Sequence, residues 1–318
     1  MIEPITVLIL AGGFATRLWP LTEKRAKPLL PIAGKPLICH IIDQVPRETP
    51  IIISTNQAFQ EDFFALKQQY PDRNLSIFIE DSTDDKAKKG ALGATSLAIQ
   101  AFHIDSPLLL IAGDNYFGFD LSDFIQHYHG TTLLASFDTK SLQAARQFGV
   151  LEVKEGKLVS FVEKPEDPPS TLVSTGCYLF SPQHLPLLQD YARLSADNLG
   201  GIFEYLLKRN ESVDVYSFDA PWIDIGSFES YLNAHRLLSP ENRIASSSQV
   251  TNSELGSSVE IAEHCSIENC LIEESIILEG CQIKDARIRG CIIDKNCVIE
   301  GVDLDHKMIR GGSEIRGA

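Results

Sequence analysis

Short apolar runs alternate with longer amphipathic stretches through the first half of the 318-residue chain. The runs are rich in aliphatic and β-branched side chains and are too short for buried helices, which predicts strands at 5–10, 50–54, 75–80 and 107–112. The stretches between them predict helices at 37–45, 57–69 and 92–102. This alternation predicts an α/β domain with a mostly parallel sheet and helices on both faces. Ligands bind such sheets at the carboxyl ends of the strands.

The second half of this domain continues the alternation less regularly. A hairpin is predicted over 148–162, a strand at 213–218, and helices at 197–210 and 227–238. We place the first domain at 1–240 and a second, different one at 246–318.

From about residue 250, isoleucines recur every 16 residues in three interleaved series. The series are Ile267, Ile283, Ile299 and Ile315; Ile272, Ile288 and Leu304; and Ile261, Ile277, Ile293 and Ile309. Their offsets of five, five and six residues predict a three-sided parallel β-helix of about four coils. Cys265, Cys281 and Cys297 share the period, and we expect them to stack as small buried side chains rather than bind a metal.

Charge and cysteine content exclude several functional classes. The chain has 28 Lys and Arg against 43 Asp and Glu, a net charge of −15, which argues against nonspecific binding to nucleic acid or to an anionic membrane. No apolar run could span a bilayer, and the first residues do not resemble a signal peptide. Seven cysteines without a CxxC motif indicate reduced thiols and a cytoplasmic protein.

A cationic, glycine-opened loop follows the first predicted strand of this acidic chain. Ala11, Gly12 and Gly13 let the backbone turn sharply and approach a ligand closely. Five basic residues follow, with Glu23 as the one acid among them: Arg17, Lys24, Arg25, Lys27 and Lys35. The loop suits a small polyanion such as a phosphate group, although the glycines alone would equally fit a solvated surface turn.

A second candidate site follows the predicted strand at 107–112. Asp114 and Asn115 come directly after a glycine there, and a carboxylate in that place suits Mg²⁺, which prefers oxygen ligands. An Asp that caps a turn is the alternative interpretation.

Five motifs together resemble those of the sugar-1-phosphate nucleotidylyltransferases, also called nucleoside-diphosphate-sugar pyrophosphorylases. The first is Gly-Gly-x-x-Thr-Arg-Leu-x-Pro-Leu-Thr with Lys-Pro-Leu-Leu-Pro and Lys-Pro, over residues 12–36. The others are Gly113-Asp114-Asn115, Glu163-Lys164-Pro165, Ser174-Thr175-Gly176 and Trp222-Ile223-Asp224-Ile225-Gly226. The resemblance spans the whole chain and implies a Rossmann-like catalytic domain followed by a left-handed β-helix.

The resemblance implies transfer of a nucleotidyl group from a nucleoside triphosphate (NTP) to a sugar-1-phosphate, with release of pyrophosphate. It assigns Arg17 and Lys27 to catalysis, and Asp114 and Asp224 to a Mg²⁺ ion. It assigns substrate contacts to Ala11, Gly12, Gly13, Thr16, Glu80, Gly90, Asn115, Gly149, Glu163, Lys164, Thr175 and Gly176. Trp222 is interpreted as core packing.

The base and the sugar are open at this point. Thymidylyl- and uridylyl-type members have Gln where this chain has Glu80, followed here by a longer acidic insert. Our best match is glucose-1-phosphate with dTTP or UTP, and the alternative is an enzyme like mannose-1-phosphate guanylyltransferase. Three further alternatives are a catalytically silent regulatory homologue, a cytidylyltransferase for a non-sugar phosphate, and an additional acyltransferase activity in the tail. The β-helix favours a homo-oligomer.

Overall fold

The computed structural model describes residues 4–13, 16–81 and 89–317. The described chain forms two compact units. The first contains the described residues of 1–14 together with Ile38–Asp224, and the second contains those of 15–37 together with 225–318. The basic segment that follows the glycines therefore belongs to the same unit as the tail. The sequence alone predicted one boundary near residue 240, with this segment in the first domain.

The first unit is built on one nine-stranded sheet, in the order β5-β4-β1-β6-β11-β8-β12-β10-β9. Its strands are β1 (Thr6–Leu10), β4 (Ile51–Asn56), β5 (Leu75–Glu80), β6 (Leu108–Ala112), β8 (Thr132–Asp138), β9 (Gly149–Lys154), β10 (Lys157–Glu163), β11 (Leu172–Phe180) and β12 (Val213–Phe218). A separate pair joins β7 (Asn115–Phe117) to β13 (Trp222–Asp224), and a small hairpin in the second unit joins β2 (Pro31–Ile32) to β3 (Lys35–Pro36). Only β11 and β10 run against the other strands of the large sheet, so the prediction of a mostly parallel sheet is confirmed.

The helices are α1 (Leu37–Gln44), α2 (Gln60–Gln68), α3 (Ala91–Ala101), α4 (Leu121–Gln126), α5 (Leu142–Ala145), α6 (Leu185–Leu194), α7 (Gly201–Leu207) and α8 (Phe228–Leu238). The predicted helix at 197–210 is wrong in its start, because Asn198 and the glycine pair that follows form a turn. The Asn198 side chain accepts a hydrogen bond from the Gly201 N–H at 3.0 Å, and α7 begins only there.

The core of the first unit lies between the sheet and helices α3, α6 and α7. Phe203 of α7 stacks on Phe180 with ring centroids 5.9 Å apart and meets Tyr178 edge-on at 4.8 Å. This packing fixes β11 and β6 at the centre of the sheet, the strands whose ends carry candidate site residues. None of the described helices has the length and apolar character needed to cross a membrane.

The tail is a parallel β-helix with three sheets. They contain β14 (Arg243–Ile244), β17 (Glu260–Ile261), β20 (Ile276–Ile277), β23 (Ile292–Ile293) and β26 (Met308–Ile309); β15 (Gln249–Thr251), β18 (Ser266–Glu268), β21 (Gln282–Lys284), β24 (Val298–Glu300) and β27 (Glu314–Arg316); and β16 (Glu254–Leu255), β19 (Leu271–Glu273), β22 (Arg287–Arg289) and β25 (Asp303–Asp305). The three predicted isoleucine series pair in register, for example Ile267 with Ile283 and Ile283 with Ile299.

The predicted number of coils is wrong by one. Two of the three sheets have five strands, because a further coil begins at Arg243 and places Val250 beside Ile267. This first coil has one extra residue between Leu255 and Ile261. Its inward residues therefore lie 17 rather than 16 residues before their partners in the next coil, and a period of 16 does not reveal them.

The stacked cysteines are buried, as the sequence predicts. All seven cysteines are free and buried. The Sγ atoms of Cys265, Cys281 and Cys297 donate to backbone carbonyls at 3.1–3.2 Å, each 13 residues further along the chain. They act as small side chains that fill the interior of the coil.

Replacing Ile283 with alanine should destabilise the tail, because this side chain is 1% exposed and stacks between Ile267 and Ile299. We expect a loss of about 2–5 kcal/mol in the free energy of unfolding, measured by urea denaturation. Gln282→Ala, which changes the exposed neighbour, should alter it by less than about 0.5 kcal/mol. Equal losses in the two variants would contradict the inward assignment of Ile283.

Candidate active site

The glycine turn leaves the carboxyl end of β1, which lies between β4 and β6. The Ala11 N–H donates to the Ser54 carbonyl at 2.7 Å. The Asn56 side-chain amide donates to the Gly12 carbonyl at 2.9 Å, while its oxygen accepts from the Ala58 N–H. The end of β4 therefore fixes the peptide that precedes Gly13, and Gly13 itself is exposed with open space on its Cα. The sequence gives no obvious sign of these Ser54 and Asn56 contacts.

Glu80 lies directly behind this turn. Its side chain is 5% exposed and accepts a hydrogen bond from Ser54 Oγ at 2.9 Å. A Cβ atom on Gly12 would stand 2.6 Å from Glu80 Oε1, so a larger residue there would require the Glu80 side chain to move. Burial raises the pKa of the Glu80 carboxyl group, against the smaller opposing effects of Ser54 and Lys89.

Because the folded-state pKa of Glu80 is raised, its protonated form favours the native state, and this contribution is lost as the pH rises through that pKa. Glu80→Gln removes the titration. We expect the variant to gain stability relative to the unmodified protein as the pH rises from about 4.3, the ordinary Glu pKa, towards 8. Urea unfolding at several pH values measures this gain. A stability difference that does not vary with pH would contradict the assignment.

Asp114 is held at the end of β6, beside the glycine turn. Gly113 makes this possible, because a Cβ atom there would lie 2.7 Å from the Leu10 carbonyl oxygen. Asn115 Nδ2 donates to Asp114 Oδ1 at 2.9 Å, and the indole N–H of Trp222 donates to Asn115 Oδ1 at 3.0 Å. Trp222 thus orients the amide that orients the carboxylate.

Asp224 comes from a neighbouring strand, β13. The strand pairing of β13 with β7 places Asp224 opposite Asn115, one residue from Asp114. Two partly exposed carboxylates, one just before β7 and one at the end of β13, are suitable donors for Mg²⁺, which is commonly held by one or two carboxylates together with substrate phosphates and water. Among the described residues there is no group of three or more His, Cys, Asp or Glu that could hold a metal.

A bulge in β11 brings Gly176 to the end of β6. The register of β11 against β8 shifts between Ser174 and Tyr178. Gly176 has φ of 80°, and a Cβ atom added to it would lie 2.9 Å from the Cβ atom of Ala112. The Thr175 hydroxyl donates to the Ala135 carbonyl at 2.8 Å, and the residue is 1% exposed. The Thr175 side chain is thus held inside the sheet, and its predicted substrate contact stays a prediction.

Glu163 is the last residue of β10, where it pairs with Gly149 of β9, and Lys164 follows it. Glu163 Oε2 lies where Cβ atoms on Gly149 and Gly200 would stand, at 3.1 and 2.7 Å, so these two glycines make room for the carboxylate. Lys164 has φ of 44° and an exposed side chain, with its Nζ atom 3.7 Å from Glu163 Oε1. The ammonium group can reach an incoming anion from this place.

Gly90 caps α3, with φ of 74°. Backbone atoms of Ala196 would meet a Cβ atom at this position at 2.5 Å, and the Ala196 carbonyl accepts from Leu92 and Gly93 at the helix start. Gly90 thus shapes the helix terminus, while its predicted contact with the base stays a prediction. Most of the acidic insert before it, residues 82–88, lies outside the described residues.

The remaining predicted residues belong to the second unit. Thr16 and Arg17 begin a 3₁₀-helix, Thr16–Leu18, where Arg17 is exposed. Lys27 begins a second one, Lys27–Leu29, and is 8% exposed. A buried lysine is unusual and marks a position where the ammonium group has a defined task.

The Nucleotidyl transferase family matches residues 6–241, which is most of the chain. The chain belongs to this family. The GlmU-like C-terminal hexapeptide family matches residues 241–306 of this chain. This match identifies the β-helix of the tail as left-handed.

Three relatives illustrate the range of the family. A protein of Sulfolobus acidocaldarius provisionally named mannose-1-phosphate guanyltransferase is 26% identical over 281 residues, 84% of this chain and 76% of its own. A UTP–glucose-1-phosphate uridylyltransferase of Haloferax volcanii is 28% identical over 239 residues, 74% of this chain and 96% of its own. A crystal structure from Bacillus anthracis, provisionally named glucose-1-phosphate thymidylyltransferase, has a TM-score of 0.65 at 23% identity, covering 74% of this chain and 95% of that one, which shows the shared fold.

Sequence reasoning missed part of what supports the site of this nucleotidyl transferase. Trp222 does pack against Phe137 and Phe148, as predicted, but it also holds Asn115. Its place two residues before Asp224 was the one available signal. Asn115 was assigned to the substrate, whereas the structure shows its amide between Asp114 and Trp222, so its substrate contact stays a prediction.

Proposed function

We propose that the chain transfers a nucleotidyl group from an NTP to a sugar-1-phosphate and releases pyrophosphate. The observation that carries the proposal is the pair of carboxylates Asp114 and Asp224: Asn115 and Trp222 hold Asp114 beside the glycine turn by hydrogen bonds, and the pairing of β13 with β7 brings Asp224 within one residue of it in register. The named relatives support the same reaction class.

The reaction needs no protein base or nucleophile. A sugar-phosphate oxygen is already ionised at neutral pH and attacks the α-phosphorus, forming the new P–O bond as the bond to pyrophosphate breaks. The chain's residues therefore act by positioning and by neutralising charge. Backbone N–H groups at Gly12 and Gly13 bind the nucleotide, Lys164 binds the incoming phosphate, and Glu163 accepts sugar hydroxyl groups.

Arg17 and Lys27 neutralise charge on the transferring phosphate and on the leaving pyrophosphate. Arginine suits this role because its planar guanidinium group binds phosphate through two N–H groups, whereas lysine acts as a compact charge. Asp114 and Asp224 would hold Mg²⁺, which when bound neutralises phosphate oxygens and helps align them.

Glu80 supplies a physical criterion for the base. An ionised carboxylate accepts two hydrogen bonds and complements the N1–H and N2–H groups of guanine. The protonated carboxyl group, which burial favours here, both donates and accepts, as the Gln amide of thymidylyl- and uridylyl-type enzymes does. The first candidates are dTTP or UTP with glucose-1-phosphate, because Gly113-Asp114-Asn115 and Ser174-Thr175-Gly176 look most like their thymidylyltransferase counterparts, and the second is GTP with mannose-1-phosphate.

Pyrophosphate release tests the proposal. The protein is incubated with Mg²⁺ and each of dTTP, UTP, GTP, CTP and ATP, against the 1-phosphates of glucose, mannose, galactose and N-acetylglucosamine. One dominant pair is expected and identifies the substrates. No release from folded protein across the grid would overturn the proposal and favour a regulatory homologue or a cytidylyltransferase, for which phosphocholine is the next acceptor to test.

We further propose a cytoplasmic homo-oligomer without an acyltransferase activity in the tail. Seven buried free thiols support a reducing compartment. His306 of the tail packs edge-on against Phe228 with ring centroids 5.8 Å apart, which supports a structural role for that histidine. Light scattering tests the oligomer, and acetyl-CoA consumption tests the acyltransferase alternative.

A further inference from the structure

The segment that carries Arg17 and Lys27 is attached to the β-helix by side chains at its middle and at its far end. At the far end, the β2–β3 hairpin turns through Ala33 and Gly34, and the Gly34 N–H donates to Glu260 Oε1 at 3.2 Å. In the middle of the segment, between Arg17 and Lys27, Glu23 accepts two hydrogen bonds from the guanidinium group of Arg310, at 2.6 and 2.8 Å. This bidentate geometry is the strongest form of an arginine–carboxylate pair.

A second ion pair lies beside the first. Arg25 Nη2 is 3.6 Å from Asp294 Oδ1, and the two side chains are only 16% and 15% exposed. Between Thr22 and Ala26 the segment has no helix or strand, so these side-chain contacts are a principal restraint on its conformation.

The two tail residues occupy the same position in successive coils. Asp294 and Arg310 each follow the strand of one sheet, β23 and β26, and are 16 residues apart. The equivalent residues of the preceding coils are the uncharged Ala262 and Leu278. Among these four equivalent positions, only the two that pair with Arg25 and Glu23 are charged, and their charges are opposite. This indicates a specific docking site rather than a generally charged surface.

Resting on the proposed function, we propose that Arg310 and Asp294 are positioning residues for nucleotidyl transfer. They hold Glu23 and Arg25, and thereby set the conformation of the segment that presents Arg17 and Lys27 to the phosphates. The tail is on this view a part of the catalytic apparatus of this chain. The match to the Haloferax volcanii relative covers 96% of that protein but only 74% of this chain. That relative therefore has no stretch outside the match as long as the tail of this chain.

Charge reversal tests the proposal on the more exposed pair. Arg310→Glu places a carboxylate against Glu23, and we expect kcat/KM to fall about 10- to 100-fold, through kcat, because small displacements of catalytic groups are costly. The double variant Glu23→Arg with Arg310→Glu restores the pair with its charges exchanged and should recover activity to within about threefold. Arg289→Glu is the matched control, since Arg289 pairs with Glu273 at 3.0 Å within the coil, and it should leave activity unchanged.

Two further readouts separate positioning from folding. The thermal midpoint should shift by at most a few degrees in each variant, because exposed ion pairs contribute little to stability. Hydrogen exchange of peptides covering residues 18–30 should quicken in Arg310→Glu and return to normal in the double variant. That result does not depend on activity, so it remains informative if the unmodified protein proves inactive and the proposed function fails. Normal kcat and exchange in Arg310→Glu, or a loss that the exchange of charges does not restore, would overturn the proposal.

Discussion

Asp224→Asn is expected to lower nucleotidyl-transfer turnover by at least ~100-fold while leaving the fold intact. Asparagine has the same shape, so the pairing of β13 with β7 and the register of Asp224 with Asn115 should persist. The change removes one of two anionic oxygen donors proposed for Mg²⁺, and a higher Mg²⁺ concentration should therefore be needed for half-maximal turnover. Pyrophosphate release measured over a Mg²⁺ titration, together with thermal unfolding, checks both expectations.

Asp219→Asn provides the control for this experiment. Asp219 is exposed in the connection between β12 and β13, so the variant makes the same chemical change five residues away. Its turnover and Mg²⁺ requirement should match those of the unmodified protein. Near-normal turnover of Asp224→Asn at the normal Mg²⁺ requirement would remove Asp224 from the proposed metal site.

The fold could be predicted from the sequence where one simple period controls burial. The 16-residue isoleucine series give the strand register of the tail directly, because each inward position must stack on its equivalent in the next coil. The first coil was missed because its one additional residue breaks the period without breaking the stacking. Glycines and asparagine make α7 start later than its apolar positions suggest, since the Asn198 side chain terminates the turn before it.

The supporting contacts of the site could not be predicted in the same way. The bond from Trp222 to Asn115 joins residues 107 positions apart, and that from Arg310 to Glu23 joins residues 287 apart. Such pairs leave no periodic signal, and each partner taken alone looks like a core aromatic residue or a solvated charge. Motif matching identified the residues that would meet the substrates, whereas only the fold shows which residues hold them in place.

Lys27→Met should cost at least ~100-fold in turnover, the effect expected for the loss of one preorganised contact to a charged transition state. Lys27 is 8% exposed, and its neighbours Ala26, Pro28 and Leu30 are buried. Methionine is unbranched and flexible, so it replaces the aliphatic part of the lysine side chain while removing the charge. The variant should therefore fold and bind yet transfer slowly, with the loss in kcat rather than in the KM for the sugar phosphate.

Lys24→Met separates this effect from the general positive charge of the segment. Lys24 is exposed three residues earlier, and its loss removes the same unit charge from the same segment. If the segment acted only as a diffuse cationic surface, the two variants would lose similar, modest and salt-dependent amounts of activity. A large loss for Lys27→Met with a small one for Lys24→Met would instead require a specific contact from the Lys27 ammonium group. Near-normal turnover of folded Lys27→Met would contradict the catalytic assignment of Lys27.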